Sequence, residues 1–365
     1  MWTEMWAELR RYLLSRWLNL LLVFLPVVLI LEVVHVGGVW LFACAAMAIV
    51  PLAGVLGDAT EEMAGRMGPA AGGLLSGTLG NATELIIALL AVRAGEIEVV
   101  KASITGSILG NLLLIFGLSV LAGGWGREKQ VFERTHQSAN TSMLMLAVCG
   151  LVMPAVFDLV VYGSLERDTP VLQQLSLWTA AVLLATYLAS FVFSFKTHKH
   201  LFTAEERHRA GMSRRTAITL LVVATGLIVW ASEVLVAQIE AATQALGMTK
   251  FFVGVIVVAV VGNAAEHSAA VVAARRNKMD LSLTIAVGSS VQIALLVAPV
   301  LVFASHLAGH PMSLVFNGFE IAALILSVLV VALVSLDGET NWFEGVQLIA
   351  VYLILGIAFY FVPGK

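Results

Sequence analysis

Apolar residues in this chain come in long blocks, interrupted by short polar connections. Blocks of about 17–25 mostly apolar residues, long enough to cross a bilayer as a helix, fall near 17–34, 37–57, 70–92, 99–122, 139–157, 174–195, 215–240, 250–274, 281–306, 314–336 and 343–362. The pattern predicts an all-α polytopic membrane protein of about 11 transmembrane helices. Its expected divisions are 1–36 (lead-in and first helix), 37–195 (helices 2–6), 196–214 (a linker) and 215–365 (helices 7–11).

Composition supports this reading. Hydrophobic residues make up 59% of the 365 and charged residues 12%, against about 25% charged in soluble domains. The lipid bilayer is the expected partner, no nucleic-acid partner is expected, and a homo-oligomer is left open. Cys44 and Cys149 lie in apolar runs without a CxxC or Cys/His cluster and read as packed thiols. Met1 to Arg16, with Trp2, Trp6, Glu4, Glu8, Arg10, Arg11 and Arg16, reads as an amphipathic interfacial lead-in. Distributing Lys and Arg over alternate sides puts 16 of the 21 on the side of the N-terminus. The positive-inside rule then makes the N-terminus cytoplasmic and the C-terminus external.

One stretch occurs twice. Gly80-Asn81-Ala82-Thr83-Glu84, closing with Gly106-Ser107, matches Gly262-Asn263-Ala264-Ala265-Glu266, closing with Gly288-Ser289, at a constant offset of 182. The copies lie five spans apart, so they cross the membrane in opposite directions. Helices 2–6 and 7–11 are therefore expected to form an inverted-topology repeat of 5+5, with helix 1 as an extra. Secondary transporters carry such repeats, with ion sites near the midplane.

Each copy places a carboxylate, Glu84 or Glu266, inside an apolar segment, which is costly unless it serves a function. Asn81 and Asn263 offer a side-chain carbonyl, and the Gly-Asn-Ala before each Glu suits a close helix contact or a helix break. The fourth block adds Ser103, Thr105, Ser107 and Asn111, and the ninth adds Thr284, Ser289, Ser290 and Gln292. Oxygen donors with two carboxylates suit a hard divalent cation, above all Ca²⁺. The same carboxylates take up protons when the cation leaves, which is the requirement for antiport. The expected ligands are Glu84, Glu266, Asn81, Asn263, Ser107, Ser289 and Gln292. Glu84 and Glu266 would carry the protons. No cofactor is expected beyond the transported Ca²⁺ and H⁺, and no nucleophile–base pair or zinc-ligand spacing points to an enzyme. A Na⁺-coupled or monovalent-cation exchanger on the same fold is the alternative, with a passive cation channel behind it.

With these residues the chain resembles the Ca²⁺/cation antiporter superfamily and, within it, the Ca²⁺/H⁺ exchanger (CAX) family. The resemblance also rests on Pro51-Leu52-Ala53, Ala59-Thr60-Glu61-Glu62, Gly106-Ser107-Ile108-Leu109, Asn111-Leu112-Leu113-Leu114, Gly288-Ser289-Ser290-Val291-Gln292-Ile293-Ala294-Leu295, Asn341-Trp342 and Glu344-Gly345. It implies an eleven-helix fold, export of cytosolic Ca²⁺ against proton influx, and Glu84 and Glu266 as central ligands. Sodium-coupled relatives usually add an acidic residue on the helix after the second Glu; Val287 to Gln292 has none. The acidic segment that many members carry between the halves is missing as well: residues 196–214 hold Glu205 and Glu206 among basic residues and His198, His200 and His208.

The remaining acids are expected at the approaches. Asp58, Glu61 and Glu62 would line a cytoplasmic access route and Glu233 an outer one. His267, beside Glu266, is a candidate proton relay or hydrogen-bonding partner, although neighbouring helical positions diverge by about 100°. The family resembled also has His there. Glu320 and Gln137 are packing or gating candidates. A prokaryotic cytoplasmic membrane is the expected location, ahead of a vacuolar one.

Overall fold

A computed structural model of the chain describes residues 8–13, 16–67, 69–164, 169–194 and 211–363. Most of the expected linker, with its three histidines, Glu205 and Glu206, lies outside these residues, as does the start of the lead-in. Every apolar block becomes helix. We number these helices α1 (Trp17–Val33, opening as a 3₁₀ turn), α2 (Val39–Arg66), α3 (Pro69–Leu79), α4 (Ala82–Arg93), α5 (Ile97–Gly124), α6 (Arg134–Tyr162), α7 (Pro170–Val192), α8 (Arg214–Ala237), α9 (Ile239–Leu246), α10 (Lys250–Arg275), α11 (Met279–Leu307), α12 (Gly318–Val334) and α13 (Trp342–Tyr360). Among the described residues, eight helices are long and apolar enough to cross a membrane, or nine if the bent pair α3–α4 counts as one; α1 and α12 are shorter apolar helices. The chain is a multi-pass membrane protein.

Local chemistry sets the helix ends. Asn317 and Asn341 each accept the backbone N–H three residues on, while Glu320 and Glu344 reach back to the N-cap N–H, so α12 and α13 both start on capping boxes. Ser213 caps α8 and Thr249 caps α10 in the simpler way.

The helices form two compact units, residues 1–90 with 190–247 and residues 91–189 with 248–365. Each draws helices from both sequence repeats. In the first, Leu52, Val55, Leu56 and Ala59 of α2 pack on Leu220, Ala224 and Ile228 of α8, with Ala82 in the same cluster. Polar ties gather at one end of that packing. Asp58 accepts hydrogen bonds from Tyr12 and from Arg16 (2.7 Å), Glu8 accepts from Thr216 (2.6 Å), and Arg66 donates to the Met212 carbonyl.

In the second unit the hydrogen bonds define two faces. One face joins the end of α5 to the end of α10 and the start of α11: Arg127 donates to the carbonyls of Gly123 and Arg275, and Asp280 accepts from the Glu133 N–H. There the strands β1 (Gln130–Val131) and β2 (Glu339–Thr340) pair antiparallel. The other face joins the starts of α5, α10 and α12: Glu96 pairs with Lys250 at 3.0 Å, and Lys101 donates to Ser313 and to the Val315 carbonyl. It also receives the end of α11, where Ser305 accepts from the Met312 N–H. The segments α5 and α11, aligned by the offset of 182, thus run in opposite directions, as an inverted repeat requires.

Candidate functional site

The two copies of the motif share a sequence but not a backbone. In the first, the helix breaks at Gly80–Asn81 and α4 leaves α3 at 47°. Glu84 therefore stands in the first turn of a new helix, where unbonded N–H groups and the helix dipole favour an anion. In the second, α10 runs without interruption through Gly262 and Asn263, and Glu266 sits mid-helix. Its distortion comes earlier, as a π turn at Val253–Val258. Ser289 of α11 donates a short hydrogen bond to Glu266 Oε2. One carboxylate belongs to the first turn behind a helix break, and the other accepts from a hydroxyl in mid-helix.

The following helices match more closely. A π turn occupies Gly110–Ile115 of α5 and another Ile293–Val297 of α11, positions that coincide under the repeat offset. Such turns add a residue to the helical circuit, re-aim side chains and favour functional sites. Sequence periodicity gave no sign of them.

Asn263 is 1% exposed and its amide is fully committed. Nδ2 donates to the Ala259 carbonyl at 2.8 Å and to Ser107 Oγ at 2.8 Å, while Oδ1 accepts from Asn111 Nδ2 at 3.1 Å. A backbone carbonyl only accepts, so the Ala259 bond fixes which end of the amide is nitrogen. Asn111 and Ser107 come from the first repeat and Asn263 from the second, so this buried network joins α5 to α10 across the repeats. The approach is close because Gly106 lacks a side chain: a Cβ there would overlap the Val255 carbonyl in the π turn. Likewise, a Cβ on Gly254 would meet Ala102 Cβ at 2.7 Å.

Other expected residues fall as follows. Asn81 is fully buried and Glu84 half-buried in the first unit; Gln292 is half-buried at the end of the regular turn of α11. His267 is half-buried and its Nε2 has no hydrogen-bond partner among the described residues. Of the approach acids, Asp58 and Glu62 are already engaged. Glu62, 4% exposed, takes two bonds from Arg66 (2.7 and 3.0 Å) and one from the Gly211 N–H (2.9 Å). A cation on that route must compete with Arg16 and Arg66. Glu61 and Glu233 are exposed. Among the described residues no three His, Cys, Asp or Glu side chains cluster as a metal site. A cation held here would thus rely on carboxylates supplemented by amide and hydroxyl oxygens.

Comparison with known proteins agrees with this chemistry. The family model for "Sodium/calcium exchanger protein" matches residues 37–196 and 216–361. A protein of Aphanothece halophytica named Ca²⁺/H⁺ antiporter is 44% identical over 360 residues, covering 94% of this chain and 96% of its own. A Synechocystis protein of the same name is 44% identical over 364 residues, with 94% and 96% covered. The solved structure of native YfkE superposes with a TM-score of 0.83 at 36% identity, covering 94% of this chain and all of its own.

Proposed function

We infer, from the premise that the chain belongs to the sodium/calcium exchanger protein family and to its Ca²⁺/H⁺ antiporter branch, that it exchanges Ca²⁺ for protons across a membrane. The observation that carries this reading is the duplicated Gly-Asn-Ala-x-Glu, whose second copy holds its carboxylate against a serine hydroxyl beside a buried amide network. Glu84 and Glu266 are the groups that trade ion for proton. Two carboxylates neutralise one Ca²⁺, and hydroxyl and amide oxygens complete the six to eight ligands the ion favours. When Ca²⁺ leaves, the like charges take protons in its place. Ser107, Ser289, Asn81 and Gln292 supply oxygens. Asn263 acts through the network that holds it, and His267 is a secondary candidate for passing protons.

The cycle begins with Ca²⁺ displacing protons from the cytoplasmic side and ends with its release outside, with protons returning. The direction follows from the placement of Lys and Arg: the face with Arg127, Lys129, Arg134, Arg275, Arg276 and Lys278 is cytoplasmic. Bacterial relatives of the same name support a prokaryotic cytoplasmic membrane. The lack of an acidic residue between Val287 and Gln292 favours protons over Na⁺ as the coupling ion.

The test is uptake of radioactive Ca²⁺ into sodium-free proteoliposomes with an acid interior, for wild type, Glu84→Gln and Glu266→Gln. Uptake is expected to require the gradient and to vanish in both variants. Uptake indifferent to the gradient overturns the reading.

A further inference from the structure

On the face opposite the basic one, a cavity of about 200 Å³ opens between the starts of α5 and α12. Glu98, Lys101, Asn317 and Glu320 line its polar side, and Phe251 and Val315 contribute to the apolar side. Glu320 is fully committed: one oxygen accepts from Thr105 at 3.0 Å and the other from the Asn317 N–H at 2.9 Å. Its place is explained by the capping box. Lys101 is different. Its ammonium lies 3.0 Å from the Val315 carbonyl and 3.2 Å from Ser313 Oγ, with the carboxylates of Glu98 and Glu320 on the same cavity. These are oxygen donors of the kind a metal cation would choose, and a side chain supplies the cation.

The stretch 308–317 that provides Ser313 and Val315 is not helical, yet Met312, Ser313, Leu314, Val315 and Phe316 are all buried. Irregular backbone is tolerated at such depth where it is packed in protein or lines a watery cavity, and here side chains meet its polar groups: the Leu314 N–H bonds to Ser176 and the Met312 N–H to Ser305. Lys101 itself has no charged counterpart in the second repeat. The offset of 182 pairs Lys101 with Leu283 and Thr105 with Val287, both buried apolar residues. Lys101 thus puts on this face a charge that the repeat does not duplicate.

We propose that Lys101 is a tethered cation: its ammonium occupies an oxygen-lined vestibule on the release face and lowers the affinity of that face for Ca²⁺, so that the exported ion does not rebind. The proposal rests on the exchange reading above and on its assignment of this face as external. Without the ammonium, the Glu98 carboxylate and the oxygens of Ser313 and Val315 would offer themselves to a divalent ion. Lys101 touches no reacting group and sets the apparent Ca²⁺ affinity of one face, while the gradients set the net direction.

Inverted and right-side-out membrane vesicles give the apparent KM for Ca²⁺ on each face. Wild-type vesicles test the exchange itself, by their need for a proton gradient, independently of any variant. Lys101→Gln retains an N–H donor for Ser313 and Val315 but loses the charge; Lys101→Arg retains both. In Lys101→Gln the external KM is expected to fall by about threefold or more, in keeping with one charge acting through a medium of intermediate dielectric, with the cytoplasmic KM unchanged. Lys101→Arg is expected to behave as wild type. Equal shifts on both faces, or no shift in Lys101→Gln, overturn the proposal. So does a lowered melting temperature in both variants with neither KM altered, since that marks Lys101 as a strut for the buried stretch.

Discussion

The motif-bearing helices of the two repeats start from nearly the same words and reach different shapes. The first breaks before its glutamate; the second stays whole and is widened by a π turn nearly a full turn before its Gly-Asn-Ala. The lesson concerns how a carboxylate is accommodated in an apolar segment. A helix end offers unpaired N–H groups and costs backbone hydrogen bonds at the break. An intact helix keeps those bonds and needs a neighbour's hydroxyl, here Ser289. Duplicated sequence thus sets its two carboxylates in two different backbones.

The comparison can be broken at its strongest point by removing the carboxylates in turn. Loss of a charged ligand at a buried site costs about 3–5 kcal/mol, so Glu84→Gln and Glu266→Gln should each reduce Ca²⁺ exchange in proteoliposomes by at least about a hundredfold. If one variant stays active, the two copies are not equal partners.

Next come the paired glycines. Gly106 and Gly288 align, but a Cβ on Gly106 overlaps the Val255 carbonyl, whereas Gly288 has no atom of its own unit within 4 Å of that position. Gly106→Ala should therefore lower stability by about 3 kcal/mol. Gly288→Ala should be neutral or raise it by up to about 1 kcal/mol, because alanine is the better helix former. Thermal unfolding in detergent separates them, and equal losses would mean the close approach at Gly106 is not what it supports.

Asn111 sharpens the contrast further, since its counterpart in the second repeat is Ile293. Asn111→Ile makes the copies alike and leaves Asn263 Oδ1 buried without its donor, a cost of about 1–3 kcal/mol. A fall in melting temperature, larger than that of a surface control, is the expected result.

Much of this was legible in the sequence because burial in lipid is a coarse constraint. Among the described residues the apolar blocks are mostly helix, eight or nine of them long enough to span, and the five-span separation of two motifs predicts antiparallel copies, visible in α5 and α11. The site was legible in its carboxylates, since a charge among Gly, Ala and Leu needs a reason. Less legible were the geometry of the backbone and the direction of the amides. Gly-Asn-Ala allows both a break and a continuous helix, and nothing within the motif decides between them; the choice lies with neighbours such as Ser289 and the Gly106 contact. Asp58 and Glu62 stood out as acids on a route, yet their partners Arg16, Tyr12 and Gly211 are distant in sequence or reached through the fold.

The smallest expected effect is on the lead-in of the first unit, which has no counterpart in the second repeat. The hydroxyl of Thr216 holds the half-buried carboxyl of Glu8 below its ordinary pKa. A depressed folded-state value means that the contact contributes above the unfolded pKa and is lost as pH falls through the folded one. Between pH 6 and 8 the protection factors of the amides at residues 8–13, with intrinsic exchange divided out, should stay constant, and Glu8→Gln should change them only slightly.

The short ladder between β1 and β2 affects how motion in this molecule can be observed. Residues 130–131 and 339–340 pair backbone to backbone, and Lys129 meets Glu339 at 2.7 Å. Two loops far apart in the chain are thereby tied into one reporter. A fluorophore on either should trace the same trajectory during turnover, so a distance measured between them would serve as a ruler of fixed length against which genuine displacements elsewhere can be calibrated.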